Sequence, residues 1–145
     1  MNVFIIGSPL ETAKAMVNDT KRFNKQITEC KQMLNAIEGQ TKAWRNHPCT
    51  VQYEKNRLWL DEYRLCLIAY RNGKYLRAAL HSYIADFVRP IFHTDKFFTQ
   101  MKRRLYTKSP AVYSQWSSLG TSEVNWYWSP SERKIIKYAN GKRQN

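Results

Sequence analysis

The chain has 145 residues, 43% of them hydrophobic and 14% aromatic, and its formal net charge is +13. This length and composition fit one folded domain with a substantial core and exclude an intrinsically disordered chain. Like charges repel one another in a compact molecule, so the excess of Lys and Arg indicates a polyanionic partner. We expect nucleic acid first and an anionic membrane surface second.

Membrane spans, disulfides and metal sites are not predicted. No apolar run approaches the roughly 20 residues that cross a bilayer, and the apolar residues 3–6 lack the length and the basic start of a signal peptide. The cysteines are Cys30, Cys49 and Cys66, without the spacing of a metal site. The histidines are far apart in the sequence. We therefore expect a reduced, cytoplasmic protein with no metal and no cofactor.

The first predicted elements are an extended apolar segment, residues 2–6, and a short helix. Ser8, Pro9 and Glu11 supply a helix N-cap, a proline at the first helical position and the acid of a capping box. The sequence therefore predicts a first helix that begins after Ser8 and runs to about Val17.

The second predicted helix, residues 19–38, is the element around which we expect the chain to fold. Its apolar side chains recur at alternating steps of four and three residues, which predicts one buried stripe. The stripe consists of Phe23, Ile27, Cys30, Leu34 and Ile37. Beside it, Arg22, Gln26 and Glu29 project from one flank of the helix. Glu29, a carboxylate surrounded by basic residues, is a candidate catalytic acid or a partner in a surface salt bridge.

A loop is predicted for residues 40–50, because Pro48 disfavours a helical conformation at the residue before it. The loop offers a stacking ring, a guanidinium, an amide and an imidazole, on Trp44, Arg45, Asn46 and His47. Loops held by rigid helices are common sites of function. The segment is a candidate DNA-contacting loop, or else a loop whose tryptophan anchors it to the core.

The rest of the chain is predicted to be mostly helical. Three further helices are expected, over about residues 51–72, 74–88 and 94–106. A short helical turn is expected at residues 109–116, and the aromatic and β-branched runs after Val124 indicate a terminal hairpin or an extended tail. The predicted fold class is mostly α: a compact single-domain helical bundle, residues 1–145, with a short C-terminal hairpin or extended tail.

Basic and aromatic side chains alternate along the chain, as in proteins that handle bases as well as phosphates. Lys and Arg supply salt-dependent attraction to phosphates, and aromatic rings stack on bases or wedge between them. The candidate DNA contacts are Lys21, Lys25, Gln26, Trp44, Arg45, Asn46, Lys102, Arg103 and Arg104. Each basic cluster alone is also compatible with a solvated face, but the net charge favours binding.

Several blocks of the sequence resemble the pyrimidine dimer DNA glycosylase family, the group of phage endonuclease V. The blocks are Lys-Arg-Phe-Asn-Lys-Gln-x-x-Glu at 21–29, Trp-Arg-Asn-His-Pro at 44–48, Arg-Pro-x-x-His at 89–93 and Met-Lys-Arg-Arg-Leu at 101–105. The helical pattern of residues 53–73 is similar to the middle helix of that family. The resemblance covers about residues 22–105.

The resemblance implies a compact helical enzyme without metal or cofactor. Such an enzyme removes a damaged or modified pyrimidine from double-stranded DNA and then cleaves the abasic strand as a lyase. Glu29 corresponds to the catalytic glutamate, Arg22 to a phosphate-binding residue beside it and His47 to a histidine of the substrate pocket. His93 joins the DNA contacts. We then expect a monomer in the cytoplasm of a bacterium or of a phage-infected host.

The nucleophile of that family is an N-terminal α-amine, which attacks the sugar C1′ and forms an imine. An α-amine has an ordinary pKa of about 7.7–8.0, against about 10.4 for lysine, so more of it is neutral near pH 7. In the family the amine belongs to a threonine exposed by removal of the initiator methionine, whereas here Asn2 follows Met1. The candidate amines are those of Met1 and, if Met1 is removed, Asn2. If neither serves, Glu29 is expected to activate water, which gives a glycosylase without lyase activity.

Two other classes of function fit the composition. A non-enzymatic basic DNA-binding protein needs only the net charge and the aromatic residues. An RNA-binding or nucleoprotein-assembly factor would prefer RNA to duplex DNA in a salt titration. A glycine-rich phosphate loop, an HExxH motif and a paired-carboxylate motif are absent from the sequence, so the enzyme classes that use them are not indicated.

Overall fold

The computed structural model describes residues 1–144, which form six α-helices, a 3-10 helix and a small sheet. The helices are α1 Pro9–Met16, α2 Thr20–Ile37, α3 Pro48–Gln52, α4 Arg57–Arg71, α5 Tyr75–Phe87 and α6 Asp95–Lys108. The strands β1 Asn125–Ser129, β2 Lys134–Ala139 and β3 Lys142–Gln144 pair antiparallel in the order β1-β2-β3. The short helix predicted at residues 109–116 lies further along, as the 3-10 helix Ser114–Leu119. The predicted mostly α fold with a C-terminal hairpin is confirmed, and a third strand extends the hairpin.

Helix α2 buries the predicted stripe. Its buried members are Phe23, Ile27, Cys30 and Leu34, and Ile37 is partly buried. The helix packs against α1, α3 and α4. Because the stripe is fixed in the core, the neighbouring flank with Glu29 has a fixed orientation as well.

The helix predicted for residues 51–72 is two helices, α3 and α4, with a turn at residues 53–56. The predicted loop is shorter than expected, because α3 begins at Pro48, a residue that favours the first helical position. Tyr53 in this turn is fully buried and stacks on Trp59, with ring centroids 5.2 Å apart. Its hydroxyl also shares a hydrogen bond of 2.9 Å with Nε2 of His93. Burying this ring outweighs the local helical propensity, which for most residue types differs by less than about 1 kcal/mol.

The described residues contain neither a membrane-spanning helix nor a cluster of metal-binding side chains. Within residues 1–144, no helix combines the length and the apolar character that crossing a bilayer requires. In the same part of the chain, no group of three or more His, Cys, Asp or Glu side chains is arranged to hold a metal ion.

His93 makes the fold sensitive to acid. Its side chain is buried among aromatic rings, and burial, with a smaller contribution from Arg89, lowers its pKa from the ordinary 6.5 to about 3. Between pH 6.5 and pH 3, His93 is therefore protonated in the unfolded chain but neutral in the folded chain. The free energy of unfolding falls as the pH drops from 6.5 toward 3, and at pH 5 this residue alone costs about 2 kcal/mol.

Chemical denaturation at pH 7 and pH 5 tests this prediction. Between the two pH values, the His93→Gln variant should lose about 2 kcal/mol less free energy of unfolding than the unaltered protein. Glutamine keeps a polar group beside Tyr53 and does not titrate in this range. Equal losses in both proteins would mean that other groups control the acid sensitivity.

Candidate active site

A pocket opens between the start of α2, the N-terminal segment and the end of α6, and we call it the N-terminal pocket. Its volume is about 420 Å³. The residues that line it are Met1, Asn2, Phe4, Asp19, Lys21, Arg22, Lys25, Gln26, Glu29, Lys108 and Ser109. It brings the chain terminus next to the flank of α2 that the sequence singled out.

Side chains, rather than a neighbouring strand, hold the backbone of the N-terminal segment at this pocket. The Gln26 amide donates from Nε2 to the carbonyl oxygen of Asn2 at 2.7 Å, and its Oε1 accepts from the N–H of Phe4 at 2.7 Å. The Tyr63 hydroxyl donates to the same Oε1 at 2.9 Å. Gln26 is only 2% exposed. Its amide therefore clamps the chain terminus to the core.

The C-terminal half of the chain anchors the terminus a second time. The Tyr127 hydroxyl donates to the carbonyl oxygen of Met1 at 2.9 Å. The Asn2 side chain donates from Nδ2 to Oδ1 of Asn125 at 2.8 Å, and the Arg104 guanidinium donates to that same oxygen at 3.0 Å. The α-amino group of Met1 is therefore placed by a network that joins α2, α6 and β1.

The Glu29 carboxylate is partly buried and lines the same pocket as Met1. Within residues 1–144 it forms no ion pair within 4.0 Å, although lysines stand on both sides of the pocket. The salt bridge considered as the alternative from the sequence is thus not observed. The carboxylate is left available to a bound molecule.

Arg22 is held at the mouth of the pocket by its own neighbours. Its Nε donates to Oδ2 of Asp19 at 3.1 Å, and its guanidinium carbon lies 5.8 Å from the ring centroid of Phe4. The Tyr113 hydroxyl donates to the same Asp19 oxygen at 2.8 Å. The two terminal guanidinium nitrogens of Arg22 form no hydrogen bond with any residue in the described part of the chain. Their geometry suits a phosphate.

His47 lies close to the chain terminus. Its Nδ1 accepts a hydrogen bond of 3.0 Å from the N–H of Cys49 and caps α3. Burial lowers the pKa of His47, and the N-terminal ammonium lowers it further. The imidazole is therefore neutral near pH 7. Because Nδ1 accepts, we assign the ring proton to Nε2.

In the predicted DNA-contacting loop, Arg45 is engaged within the fold, whereas Trp44 and Asn46 are exposed. Arg45 donates from Nη1 to the carbonyl oxygens of Ala36 at 2.9 Å and Ile37 at 3.3 Å, and so ties the loop to the end of α2. Trp44 has a positive φ of 66° and is 44% exposed, and Asn46 is exposed as well. The ring of Trp44 and the amide of Asn46 remain available to DNA.

Several predicted DNA contacts face the interior instead. Gln26, His93 and Arg104 are 2%, 2% and 6% exposed, too little for contact with DNA. Arg103 donates to the carbonyl oxygen of Thr121 at 2.8 Å and is used within the fold. We therefore assign Gln26 and Arg104 to holding the N-terminus and His93 to the core. The sequence pattern does not distinguish an inward-facing basic side chain from a solvated one.

Lys108, which was not predicted, lies at the site, and Lys102, which was predicted to contact DNA, does not line it. Lys108, at the end of α6, lines the N-terminal pocket. Partial desolvation of its ammonium group lowers its pKa, and the charge of Arg104 is the next largest cause. Lys102 lies over the ring of Trp116 at 5.9 Å and borders a different pocket. No signal in the sequence connects residue 108 with the chain terminus, because only the folded chain brings them together.

The geometry defines a helical, strongly basic protein with a carboxylate and a chain terminus in one pocket. Residues 1–70 match the model of the family described as pyrimidine dimer DNA glycosylase. The match includes α1 to α3 and most of α4, and with them Met1, Glu29 and His47. It confirms the resemblance for the blocks at residues 21–29 and 44–48, whereas the blocks at 89–93 and 101–105 lie outside the match. The name of the family indicates a DNA glycosylase. No curated protein and no solved structure matched the chain.

The lysines of the N-terminal pocket give a quantitative prediction for DNA binding. Lys21, Lys25 and Lys108 are exposed and line the pocket. If each lysine neutralises one phosphate, it contributes about −0.9 to the slope of the logarithm of the binding constant against the logarithm of the salt concentration. Replacing all three with Gln should therefore make this negative slope shallower by about 3. Fluorescence anisotropy with duplex DNA at several salt concentrations measures this slope.

A matched variant controls for the change in net charge. Lys14, Lys55 and Lys74 are exposed and line none of the pockets described above. Replacing these three with Gln removes the same charge, and the slope should change by less than about 1. Equal changes in the two triple variants would mean that the pocket does not contact the DNA backbone.

Proposed function

We propose that the protein is a DNA glycosylase with lyase activity that removes a damaged or modified pyrimidine from double-stranded DNA. One observation carries the proposal: the N-terminal pocket holds together the chain terminus, several cations and the Glu29 carboxylate, which has no ion-pair partner within residues 1–144. The family match over residues 1–70 supports it. The protein acts as a monomer, in the cytoplasm of a bacterium or of a phage-infected host.

In the proposed reaction the cations bind the phosphates that flank the target nucleotide. Lys21, Lys25 and Lys108 supply long-range attraction, and Arg22 supplies a fixed guanidinium. Glu29 stabilises the positive charge that develops on the sugar while the bond from C1′ to the base breaks. The departing base keeps the bonding electron pair and takes up a proton from water.

The neutral α-amine forms the new bond to C1′. The attacking nitrogen then gives up a proton, the ring oxygen gains one and becomes a hydroxyl as its bond to C1′ breaks, and the product is a protonated imine between Met1 and the sugar. Glu29 can then remove a proton from C2′, which expels the 3′ phosphate and breaks the strand. We assign His47, with its proton on Nε2, the role of donating a hydrogen bond to the nucleotide, and its proximity to the N-terminal ammonium supports this role.

The fold favours Met1 over Asn2 as the source of the amine. Asn2 is 5% exposed, its carbonyl oxygen accepts from Gln26 and its side chain donates to Asn125. Both residues line the pocket, but Met1 is the more exposed of the two. If Met1 were removed, the new α-amine would belong to the buried Asn2 and would be less accessible to DNA.

Two alternatives remain. In the first, Glu29 activates water, and the protein releases a base without forming an imine. In the second, the protein binds DNA without enzymatic activity, for which the net charge of +13 suffices.

An assay with ultraviolet-irradiated, abasic and single-modified-base duplexes separates these functions. The proposal predicts strand cleavage without alkali on the abasic duplex and on at least one damaged duplex. Cleavage of a damaged duplex only after alkali would support base release through water. Tight binding with no cleavage of any damaged duplex, before or after alkali, would leave the non-enzymatic function.

A further inference from the structure

Helix α5 turns its large apolar side chains away from the core. It packs against α1 and α4, and its buried residues are all small: Ala78, Ser82 and Ala85. The opposite side of the helix carries an apolar line that we call the α5 stripe: Leu76, Leu80, Tyr83 and Phe87. Each of these four side chains is more than half exposed. The fold therefore leaves the larger apolar surface of α5 in water.

The area of the α5 stripe is that of a contact with a macromolecule. A fully exposed side chain of this size presents about 150–250 Å², so the stripe exposes roughly 500 Å² at the exposures observed. The largest apolar patch on a typical monomer covers about 300–600 Å² and is often functional. A standard interface takes about 800 Å² from each partner. The stripe together with a polar rim reaches that size, which a small molecule would not cover.

The spacing of the α5 stripe indicates a helix as the partner. Its residues follow one another at steps of four, three and four positions. This is the spacing at which two helices pack along their length, and at which an amphipathic helix presents its anchoring side chains. From Leu76 to Phe87 the stripe is about 16 Å long, at about 1.5 Å per residue. An amphipathic helix of three or more turns can cover it.

Charge selects the kind of helix. Lys74 and Arg77 lie at the start of α5 and Arg89 follows its end, and all three are exposed. Within residues 1–144 they form no ion pair within 4.0 Å. Asp86 is the one acid in α5. A second copy of the chain would bring another net charge of +13 against these cations and be repelled. Acidic residues beside an apolar stripe would instead pair with them.

We infer that the α5 stripe binds an acidic amphipathic helix of a second protein. The inference goes beyond the proposed function and does not depend on it. Helix α4 packs against both α2 and α5, which are not in contact with each other, and no residue of α5 lines the N-terminal pocket. The protein can therefore hold this partner and DNA at the same time.

Two designed peptides serve as probes for the full chain. Both have four heptads with Leu at positions a and d; the Glu peptide carries Glu at e and g, and the Lys peptide carries Lys there. Anisotropy of the labelled peptides measures their affinity. The Glu peptide should bind at least about tenfold more tightly than the Lys peptide, because only its charges complement those beside the stripe.

A variant of the stripe shows where the Glu peptide binds. In the stripe variant, Leu80→Gln is combined with Phe87→Gln, so that apolar contacts are lost and the net charge is kept. Its affinity for the Glu peptide should fall by about tenfold or more. The control combines Val112→Gln with Leu119→Gln, two exposed apolar residues outside α5, and should change the affinity by less than about twofold. Since all four residues are exposed, both variants should keep the melting temperature and the base release of the unaltered protein.

A further comparison excludes binding of the Glu peptide at the N-terminal pocket. The variant in which Lys21, Lys25 and Lys108 are replaced with Gln should bind the Glu peptide within about threefold of the unaltered protein, since these lysines lie away from α5. Loss of Glu-peptide binding in this variant, with binding kept in the stripe variant, would overturn the inference.

Several other results would overturn the inference. The stripe would not be a docking site if the Glu peptide fails to bind, or if the stripe variant binds it normally. Equal affinity for the two peptides would remove the role of charge. Binding to phosphatidylglycerol vesicles that the stripe variant abolishes, without binding of the Glu peptide, would assign the stripe to a membrane surface. A dimer in sedimentation that the stripe variant dissociates would assign it to a second copy.

Discussion

Replacing Glu29 with Gln should lower kcat/KM for base release by about 10²- to 10⁴-fold, because both charge stabilisation and proton transfer are lost. The side chain keeps its shape, and it has no ion-pair partner in the described part of the chain whose loss would destabilise the fold. Removing one negative charge from a cationic pocket should leave duplex affinity within about threefold, or slightly higher. Single-turnover kinetics on a damaged duplex, together with anisotropy, measure the two quantities.

Glu54→Gln is the control for this change. Glu54 is exposed in the turn between α3 and α4 and does not line the N-terminal pocket. The substitution alters the net charge equally, so its effect on base release should be less than about twofold. If Glu29→Gln retains full activity, or if both variants lose it equally, Glu29 is not the central acid.

Replacing Gln26 with Met should slow imine formation by about 10- to 100-fold without weakening DNA binding. The variant leaves the Asn2 carbonyl and the Phe4 N–H without the side chain that holds them, so the α-amine loses its fixed position. A misplacement of about 1 Å at a reacting group costs about 100-fold in rate. Borohydride trapping on an abasic duplex measures the rate of imine formation, and anisotropy measures binding.

Loss of stability alone would mimic this effect, and a second buried glutamine separates the two. Gln100 on α6 is 2% exposed and donates from Nε2 to Ser122 and Val124 at 2.8 and 2.6 Å. Each partner left unsatisfied in either variant costs about 1–3 kcal/mol, so the two should lose similar stability. Gln100→Met should nevertheless trap at the normal rate. Equal slowing in both variants would mean that Gln26 has no positioning role.

Local patterns were sufficient for most of the helices. The alternating spacing of the α2 stripe and the Ser8-Pro9-x-Glu11 box determine where α1 and α2 lie, because periodicity and capping act within a few residues. The capping box forms as predicted, with Ser8 accepting from the N–H of Glu11. The break between α3 and α4 was missed, because Tyr53 leaves the helix to pack against Trp59 and His93, and His93 lies 40 residues away.

In the candidate site too, local spacing predicts some features, and others depend on contacts between distant parts of the chain. The flank of Arg22, Gln26 and Glu29 follows from helical spacing alone. That Gln26 points inward, toward the backbone of Asn2 and Phe4, depends on where an irregular segment lies and has no local signal. Lys108 and Tyr127 approach Met1 from more than 100 residues away, so only the folded chain reveals them.

The most direct test of the account asks which atom of the protein joins the sugar. The protein is incubated with an abasic duplex and borohydride, digested, and the DNA-linked peptide is identified by mass spectrometry. A single adduct on the α-amine of Met1 is predicted, because in the proposed reaction this amine forms the bond to C1′. An adduct on a lysine such as Lys108, or none at all while the duplex is bound and cleaved, would contradict it.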